Sequence, residues 1–292
     1  MKVVLFCGGL GMRMRDGVTN APKPMAMIGD RPLLWHVMRY YAHFGHRDFV
    51  LCLGYGASAV KDFFLKYDET RSNDFVLEGD GQVELFKTDI ANWRITFVDT
   101  GLHSEIGERL RRVRRFVAGE EMFLANYADV FTNAPLPDMV GRFAASGAVA
   151  SLLAVPPQSS HHVVDVDDTG LVTDVMPMRD LRQWENGGYF VLRPEIFDYL
   201  GEGEDLVGDA IPRLVKERKV LAYPYRGYWS PADTVKDRAQ MEDRYASGSC
   251  PWMVWDAERS PSHTIQGQFP LAYISSIWAR SLTVSAGLQY PL

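Results

Sequence analysis

The residues best suited to chemistry stand near the start of the chain, where CGGLGMRM is followed by APKPM. Gly8, Gly9 and Gly11 tolerate positive φ and let the backbone approach a ligand closely, so several N–H groups can point at phosphate oxygens. Arg13 adds a planar fork suited to phosphate, and Lys23 adds a compact ammonium on the stiff Pro22-Lys23-Pro24 segment. The dinucleotide pattern GxGxxG fails because Met14 stands where its third glycine belongs, and a P-loop fails because no Gly-Lys-Ser/Thr follows. A phosphate cradle of another kind remains, beside the plainer reading of a tight turn with two solvated cations.

Two carboxylates farther along complement that loop. Asp129 follows the apolar run MFLANY, which places it at the same sheet edge as the glycines, and Asp233 lies in GYWSPADT, just inside an expected helix start. Two carboxylates with open positions suit Mg²⁺, which takes one or two protein ligands and leaves the rest to water and phosphate. Taken singly, each aspartate also reads as a turn residue or a helix cap. His161-His162 has no further His or Cys at metal spacing, so a zinc site is not expected.

These groups need a scaffold, and the hydrophobic pattern supplies one. Residues 2–7 (KVVLFC) and 48–53 (DFVLCL) are continuous apolar runs, the pattern of strands covered on both faces. Between them Asp30 is expected to cap a helix, with Pro32 in its first turn, Leu34, Val37, Met38 and Tyr41 on its apolar face, and a stop at Gly45. Further helices are expected near 58–66 and 105–116, and further strands at 94–99 and 122–126. This alternation implies an α/β, Rossmann-like, mostly parallel sheet with helices on both faces. In the C-terminal half ASLLAV, HVVDVD, GLVTDV and YFVL read as extra strands on the same sheet, with helices near 209–217 and 230–245.

Composition narrows the class. The 292 residues, 47% hydrophobic and 23% charged, fit a folded enzyme-sized chain. A net charge of −6 argues against a general nucleic-acid surface, and the basic run RLRRVRRF reads as the solvated side of a helix whose apolar face carries Leu110, Val113, Phe116 and Val117. Cys7, Cys52 and Cys250 are an odd, scattered set, read as reduced core cysteines of a cytoplasmic protein. No signal segment or membrane span is expected. Trp252 and Trp255 in PWMVWD leave an aromatic ligand platform open beside packing or a subunit contact.

GGLGMRM followed by PKPM resembles the signature of the sugar-1-phosphate nucleotidyltransferases. RPLLWHVMRYY, WRITFVDTG, ERLRRV, NGGYFVL, GYWSPADT and PWMVWD extend the resemblance over about residues 1–256, toward the branch that handles CTP and glucose 1-phosphate. The family match at PWMVWD favours packing or a subunit contact for Trp252 and Trp255. The resemblance implies a GT-A-like fold in residues 1–257, with the nucleotide in about 1–130 and the sugar in about 131–257, followed by an appendage, 258–292. It implies Mg²⁺ on Asp129 and Asp233, the triphosphate on Gly8, Gly9, Gly11 and Arg13, Lys23 near the α-phosphate, and nucleotide contact by Arg109. It places the sugar at the Asn186-Gly187-Gly188 turn, where Glu185 could meet hydroxyls, although an exposed loop carboxylate is an equal reading. Arg13, Lys23 and Asp129 would be catalytic, the partners a nucleoside triphosphate and a sugar 1-phosphate, and the assembly a homo-oligomer. A phosphomonoester is already anionic near neutral pH, its second pKa lying near ~6, so the sugar phosphate needs no general base.

Some positions depart from the family pattern. Met12 replaces the loop threonine, Ile106 a threonine near the base, and Ala128 and Val130 the glycines that flank the metal aspartate. The Glu-Lys-Pro before the sugar site is replaced by MPMRDLRQ, where Arg179 or Arg182 would have to meet the sugar phosphate. These departures keep a second expectation open, a catalytically weakened relative that binds nucleotide or sugar nucleotide as a regulatory or assembly subunit.

Overall fold

The computed structural model describes residues 1–9, 22–158 and 161–256. Its first half alternates β1 (Lys2–Phe6), α1 (Leu33–His43), β2 (Asp48–Leu53), α2 (Ala57–Leu65), β3 (Arg94–Asp99), α3 (Ile106–Val117) and β4 (Phe123–Asn126). The second half adds β5 (Val130–Thr132), α4 (Leu136–Ala144), β6 (Ala150–Val155), β7 (His162–Val166), β8 (Val172–Pro177) and β9 (Glu185–Leu192). It closes with α5 (Ile211–Lys216), β10 (Val220–Pro224), β11 (Trp229–Pro231) and α6 (Val235–Ala246).

The main sheet of the described residues has seven strands in the order β10-β6-β9-β4-β1-β2-β3. β1 pairs parallel with β2 and β4, β2 with β3, and β6 with β10, while β9 runs antiparallel to both its neighbours, β4 and β6. The mostly parallel sheet expected from the βαβ rhythm is therefore present.

Alternation along β1 shows why its run is apolar throughout. Val3 and Leu5 enter one core with Leu34, Met38, Val60 and Phe143, from α1, α2 and α4. Val4 and Phe6 enter the opposite core with Leu110, Val113 and Val117 of α3 and Leu214 of α5. Helices thus cover both faces, and each strand side chain is removed from water on one face or the other.

Three details correct the expectations. Asp30 caps no helix: α1 follows Pro32 without a side-chain cap, and Asp30 accepts a hydrogen bond from the Tyr245 hydroxyl at 2.7 Å. Its place in a tight turn is fixed by the ribbon of Met27–Ile28 with Arg31–Pro32, which turns at Gly29 with φ 61°. β7 and β8 form their own antiparallel ribbon instead of joining the main sheet. The helix expected from residue 230 begins at Val235, because residues 229–231 pair with β5 first.

All described residues belong to one compact unit, and the appendage read at 258–292 lies outside them. No described helix is long and apolar enough to cross a membrane. Cys7, Cys52 and Cys250 are all buried.

Candidate active site

The site forms where the parallel strands end. β1 and β4 finish side by side, and the chain continues into Cys7-Gly8-Gly9 and Tyr127-Ala128-Asp129. Because β9 runs the other way, its first residues arrive at that same edge. Tyr189 is in register with Asn126, and Asn186 lies opposite Ala154. Carboxyl edges of open α/β sheets are the usual place for ligands. Here the edge opens into a cleft of about 630 Å³, bordered by Gly9, Lys23, Asp129, Asn186 and Asp233 among others, a volume within the range of small-molecule sites.

The two carboxylates meet through a secondary ladder. β5 pairs with β11, and one residue past it the Ala232 N–H donates to the Asp129 carbonyl at 2.9 Å. Asp233 follows directly. It is not the helix cap: Thr234 takes that place in a reciprocal capping box with Asp237, and Asp233 stands one residue ahead, with its side chain free to face the cleft.

Lys23 lies between the aspartates. Its Nζ stands 2.7 Å from Asp129 Oδ2 and 2.6 Å from Asp233 Oδ1. The Lys23 side chain is 14% exposed and that of Asp129 20%, whereas Asp233 is 55% exposed. Burial pulls the lysine toward its neutral form, yet the two carboxylates outweigh it and raise its pKa above the ordinary lysine value. Burial pushes the Asp129 carboxyl above the usual range, Lys23 pulls it back, and Asp233 adds to the rise.

Neighbouring groups hold Asp129 in place. Asn126 Oδ1 accepts from the Ala128 N–H at 2.7 Å, and Ala128 adopts φ 64°. The left-handed turn implied by the glycine expected from the family pattern is thus present here with a methyl group, a conformation that costs about 1–2 kcal/mol for a non-glycine residue. Val130 raises no such difficulty, because it is already in the extended β5.

The Asn186-Gly187-Gly188 segment proves to be part of β9, not a turn, and it sits at a register irregularity between β9 and β6. Gly188 has φ 76°, and a Cβ there would press on the Tyr127 ring at 2.8 Å. Asn186 accepts from the Gly188 N–H at 3.0 Å and donates to the Tyr127 hydroxyl at 3.1 Å, while Trp229 Nε1 donates to the Gly187 carbonyl at 2.8 Å. Glu185 is exposed at the mouth of the cleft. Gly11 and Arg13 lie outside the described residues, as does the side chain of Arg179.

Arg109 sits beneath the glycine loop, not on the cleft wall. It is 2% exposed. Nη1 donates to Gly101 O at 2.8 Å, Thr100 Oγ1 at 2.9 Å and Leu53 O at 3.3 Å, and Nη2 donates to Gly8 O at 3.1 Å and Leu102 O at 3.3 Å. The guanidinium ties together the segments that leave β1, β2 and β3. Gly8 is glycine for this reason, since a Cβ there would overlap the guanidinium.

Comparison with known proteins places the chain. It is 33% identical over 258 residues to the probable glucose-1-phosphate cytidylyltransferase of Bacillus subtilis (strain 168), covering 87% of this chain and 100% of that protein. The glucose-1-phosphate cytidylyltransferase of Salmonella typhi is 30% identical over 257 residues, 88% of this chain and 100% of the relative. The chain belongs to the glucose-1-phosphate cytidylyltransferase family.

It is accordingly a nucleotidyltransferase acting on sugar 1-phosphates. No family model matches the chain. Among solved structures, apo UDP-glucose pyrophosphorylase superposes with a TM-score of 0.63 at 18% identity, over 85% of this chain and 98% of that one. HddC from Yersinia pseudotuberculosis complexed with GMP-PN gives a TM-score of 0.59 at 18% identity, over 84% and 99%. Both show the nucleotidyltransferase, GT-A-like fold.

Among the described residues no group of three or more His, Cys, Asp or Glu could hold a metal ion. What does converge is one pair of carboxylates from two segments, on a point already taken by a cation. That donor set suits Mg²⁺, which accepts one or two carboxylates and completes its shell with water and phosphate oxygens.

Proposed function

We propose that this nucleotidyltransferase joins CTP and glucose 1-phosphate in a Mg²⁺-dependent reaction, yielding CDP-glucose and pyrophosphate. The observation that carries the reading is the convergence of Asp129 and Asp233 on one cationic point in the cleft, 2.7 and 2.6 Å from the ammonium between them. The relatives named for cytidylyl transfer to glucose 1-phosphate support the choice of base and sugar.

A phosphate oxygen of the sugar 1-phosphate supplies the electron pair for a new bond to the α-phosphorus. The bond from that phosphorus to the bridging oxygen breaks, and its pair leaves with pyrophosphate. The attacking oxygen is already anionic near neutral pH, so no side chain has to take a proton. The chain's task is to align three phosphates with a fourth and to hold their charge.

We assign the backbone of Gly8, Gly9 and Gly11, with Arg13, to the triphosphate, and Lys23 to the α-phosphate. Arg109 serves nucleotide binding by fixing the loop from below. Asn186, Gly187 and Gly188 take the hexose, Glu185 meets its hydroxyls, and Arg179 takes its phosphate. Asp129 and Asp233 would hold Mg²⁺, which when bound neutralises charge on the phosphates. We further assign a cytoplasmic setting, which keeps the three buried thiols reduced. A homo-oligomeric state is supported by exposed apolar side chains on two hairpins, among them Leu77 and Phe86 on one and Val166 and Leu171 on the other.

The test is pyrophosphate release with Mg²⁺, crossing CTP, UTP, dTTP, ATP and GTP with glucose 1-phosphate and other sugar 1-phosphates. CTP with glucose 1-phosphate is expected to dominate. In Asp129→Asn and in Asp233→Asn turnover should fall at least about a hundredfold while circular dichroism stays unchanged. Full activity in both variants would remove the carboxylate pair from the mechanism. Silence across the grid with calorimetric nucleotide binding intact would favour a non-catalytic binding subunit.

A further inference from the structure

We propose that Lys23 is a tethered counter-ion: its ammonium holds the point between Asp129 and Asp233 until a divalent cation takes that point, and it is thereby turned toward the phosphates. The proposal rests on the reading of this carboxylate pair as the metal site.

The argument starts from distances. Nζ lies 2.7 and 2.6 Å from one oxygen of each carboxylate. A magnesium ion bound to both would stand about 2.0–2.1 Å from its oxygens. Two cations cannot occupy one point between the same two carboxylates, so entry of the metal requires departure of the ammonium.

The chain around Lys23 separates a fixed backbone from a movable side chain. Pro22 and Pro24 flank it, both buried. Met25 N–H donates to Pro22 O at 2.8 Å and Ala26 N–H to Lys23 O at 3.0 Å, closing a short 3₁₀ turn. Pro22 packs where a Cβ on Gly56 would have to be, 2.5 Å from Pro22 Cγ. The backbone stays anchored, and the four-carbon stem carries the charge over an arc.

Charge explains why such a stand-in is needed. Asp129 is mostly buried, and two carboxylates facing one another without a cation would repel and spread, or one would take up a proton. With the ammonium between them the group carries a single net negative charge and keeps its shape. Once a divalent ion replaces the ammonium, the pair is neutralised and the displaced lysine presents a full positive charge to the cleft. Cation entry and readiness for the triphosphate become one event.

The experiment is Mn²⁺ binding to the nucleotide-free full-length protein at fixed pH, followed by the electron paramagnetic resonance signal of the free ion. Lys23→Met should bind Mn²⁺ about tenfold more tightly than the unmodified chain or better, and the gain should vanish in Lys23→Met combined with Asp233→Asn. Lys23→Gln, closer in length and still polar, gives the same comparison if the methionine variant does not fold. Damage to the fold would weaken ion binding, so a gain in affinity separates competition from a structural role. Equal or weaker binding in the lysine variants overturns the proposal and leaves the metal site standing. Absence of Mn²⁺ binding in every protein overturns both.

Discussion

His36 shows how one residue of α1 makes the protein sensitive to acid. It is 1% exposed, its Nε2 lies 3.1 Å from the Ile28 carbonyl, and its Nδ1 has no hydrogen-bond partner among the described residues. The carbonyl fixes a proton on Nε2, and burial disfavours a second proton on the ring. Burial lowers its pKa from 6.5 to about 4, with Ile28 and Asp30 pulling upward and Arg31 adding to the fall. Below pH 6.5 the unfolded chain takes up a proton that the folded chain refuses, so the unfolded state binds more protons and stability falls as pH falls. Between pH 6.5 and about 4 this group should withdraw roughly 3 kcal/mol. Urea unfolding across that range checks it, and in His36→Leu the slope should be shallower by about that amount. No feature of the sequence distinguished this histidine from its apolar neighbours, since its isolation follows from packing beneath Phe131 and Trp252. The carboxylates were different: Asp129 after an apolar run and Asp233 in a conspicuous motif were both legible, though their meeting through Lys23 was not.

At the scale of elements, the glycine loop depends on α3 as much as on β1. Arg109 reaches from α3 to the carbonyls that follow β1, β2 and β3, and its neighbours Arg111, Arg112, Arg114 and Arg115 remain exposed as the amphipathic pattern implies. The helix and its solvated face could therefore be read from sequence, whereas one arginine of the run turning inward could not. Its signal is distributed over Gly8 and Gly54, two glycines that each follow a separate strand and leave room around one guanidinium. Arg109→Met would leave the Gly8, Gly101 and Leu102 carbonyls without this donor, for a loss of about 2–4 kcal/mol in stability. KM for the nucleotide should rise more than kcat falls, because the loop loses its support while Asp129 and Asp233 keep theirs. Arg109→Lys should rescue little, since an ammonium cannot span the fork that reaches both Gly8 and Gly101. Thermal unfolding and steady-state kinetics of the two variants decide this. Other boundaries failed for local reasons. The TVKD stretch marks Thr234 as the helix cap and could have been recognised as a capping box, but the Asn186-Gly187-Gly188 segment looks like a turn in any one-dimensional reading and becomes a strand only when β4 and β6 flank it.

Across the whole molecule, the alternation of strands and helices announced a mostly parallel sheet, and the sheet explains why residues as far apart as Lys23, Asp129, Asn186 and Asp233 share one edge. The reversal of β9 was the part that no periodicity encodes, because apolar runs look alike in either direction. That reversal delivers the start of β9 to the cleft and with it the expected sugar residues. Alignments of 258 and 257 positions cover the full length of two relatives, while this chain has 292 residues. The residues beyond that length are therefore expected to be dispensable for the shared chemistry. The core agrees, since Trp252 near the end of the described residues stacks on Phe131 at 5.0 Å and on Tyr228 at 5.8 Å, closing the layer beneath the aspartates. A chain ending at Ser260 keeps this contact, and it should unfold within about 2 °C of the full-length protein. It should also release pyrophosphate at a rate within about twofold of the full chain, an effect under 0.5 kcal/mol. Differential scanning fluorimetry and initial rates on the two chains test this, with sedimentation velocity reporting whether self-association survives. Lost turnover in a shortened chain that is still folded and still associated would assign residues 261–292 to the reaction itself; lost association would assign them to assembly.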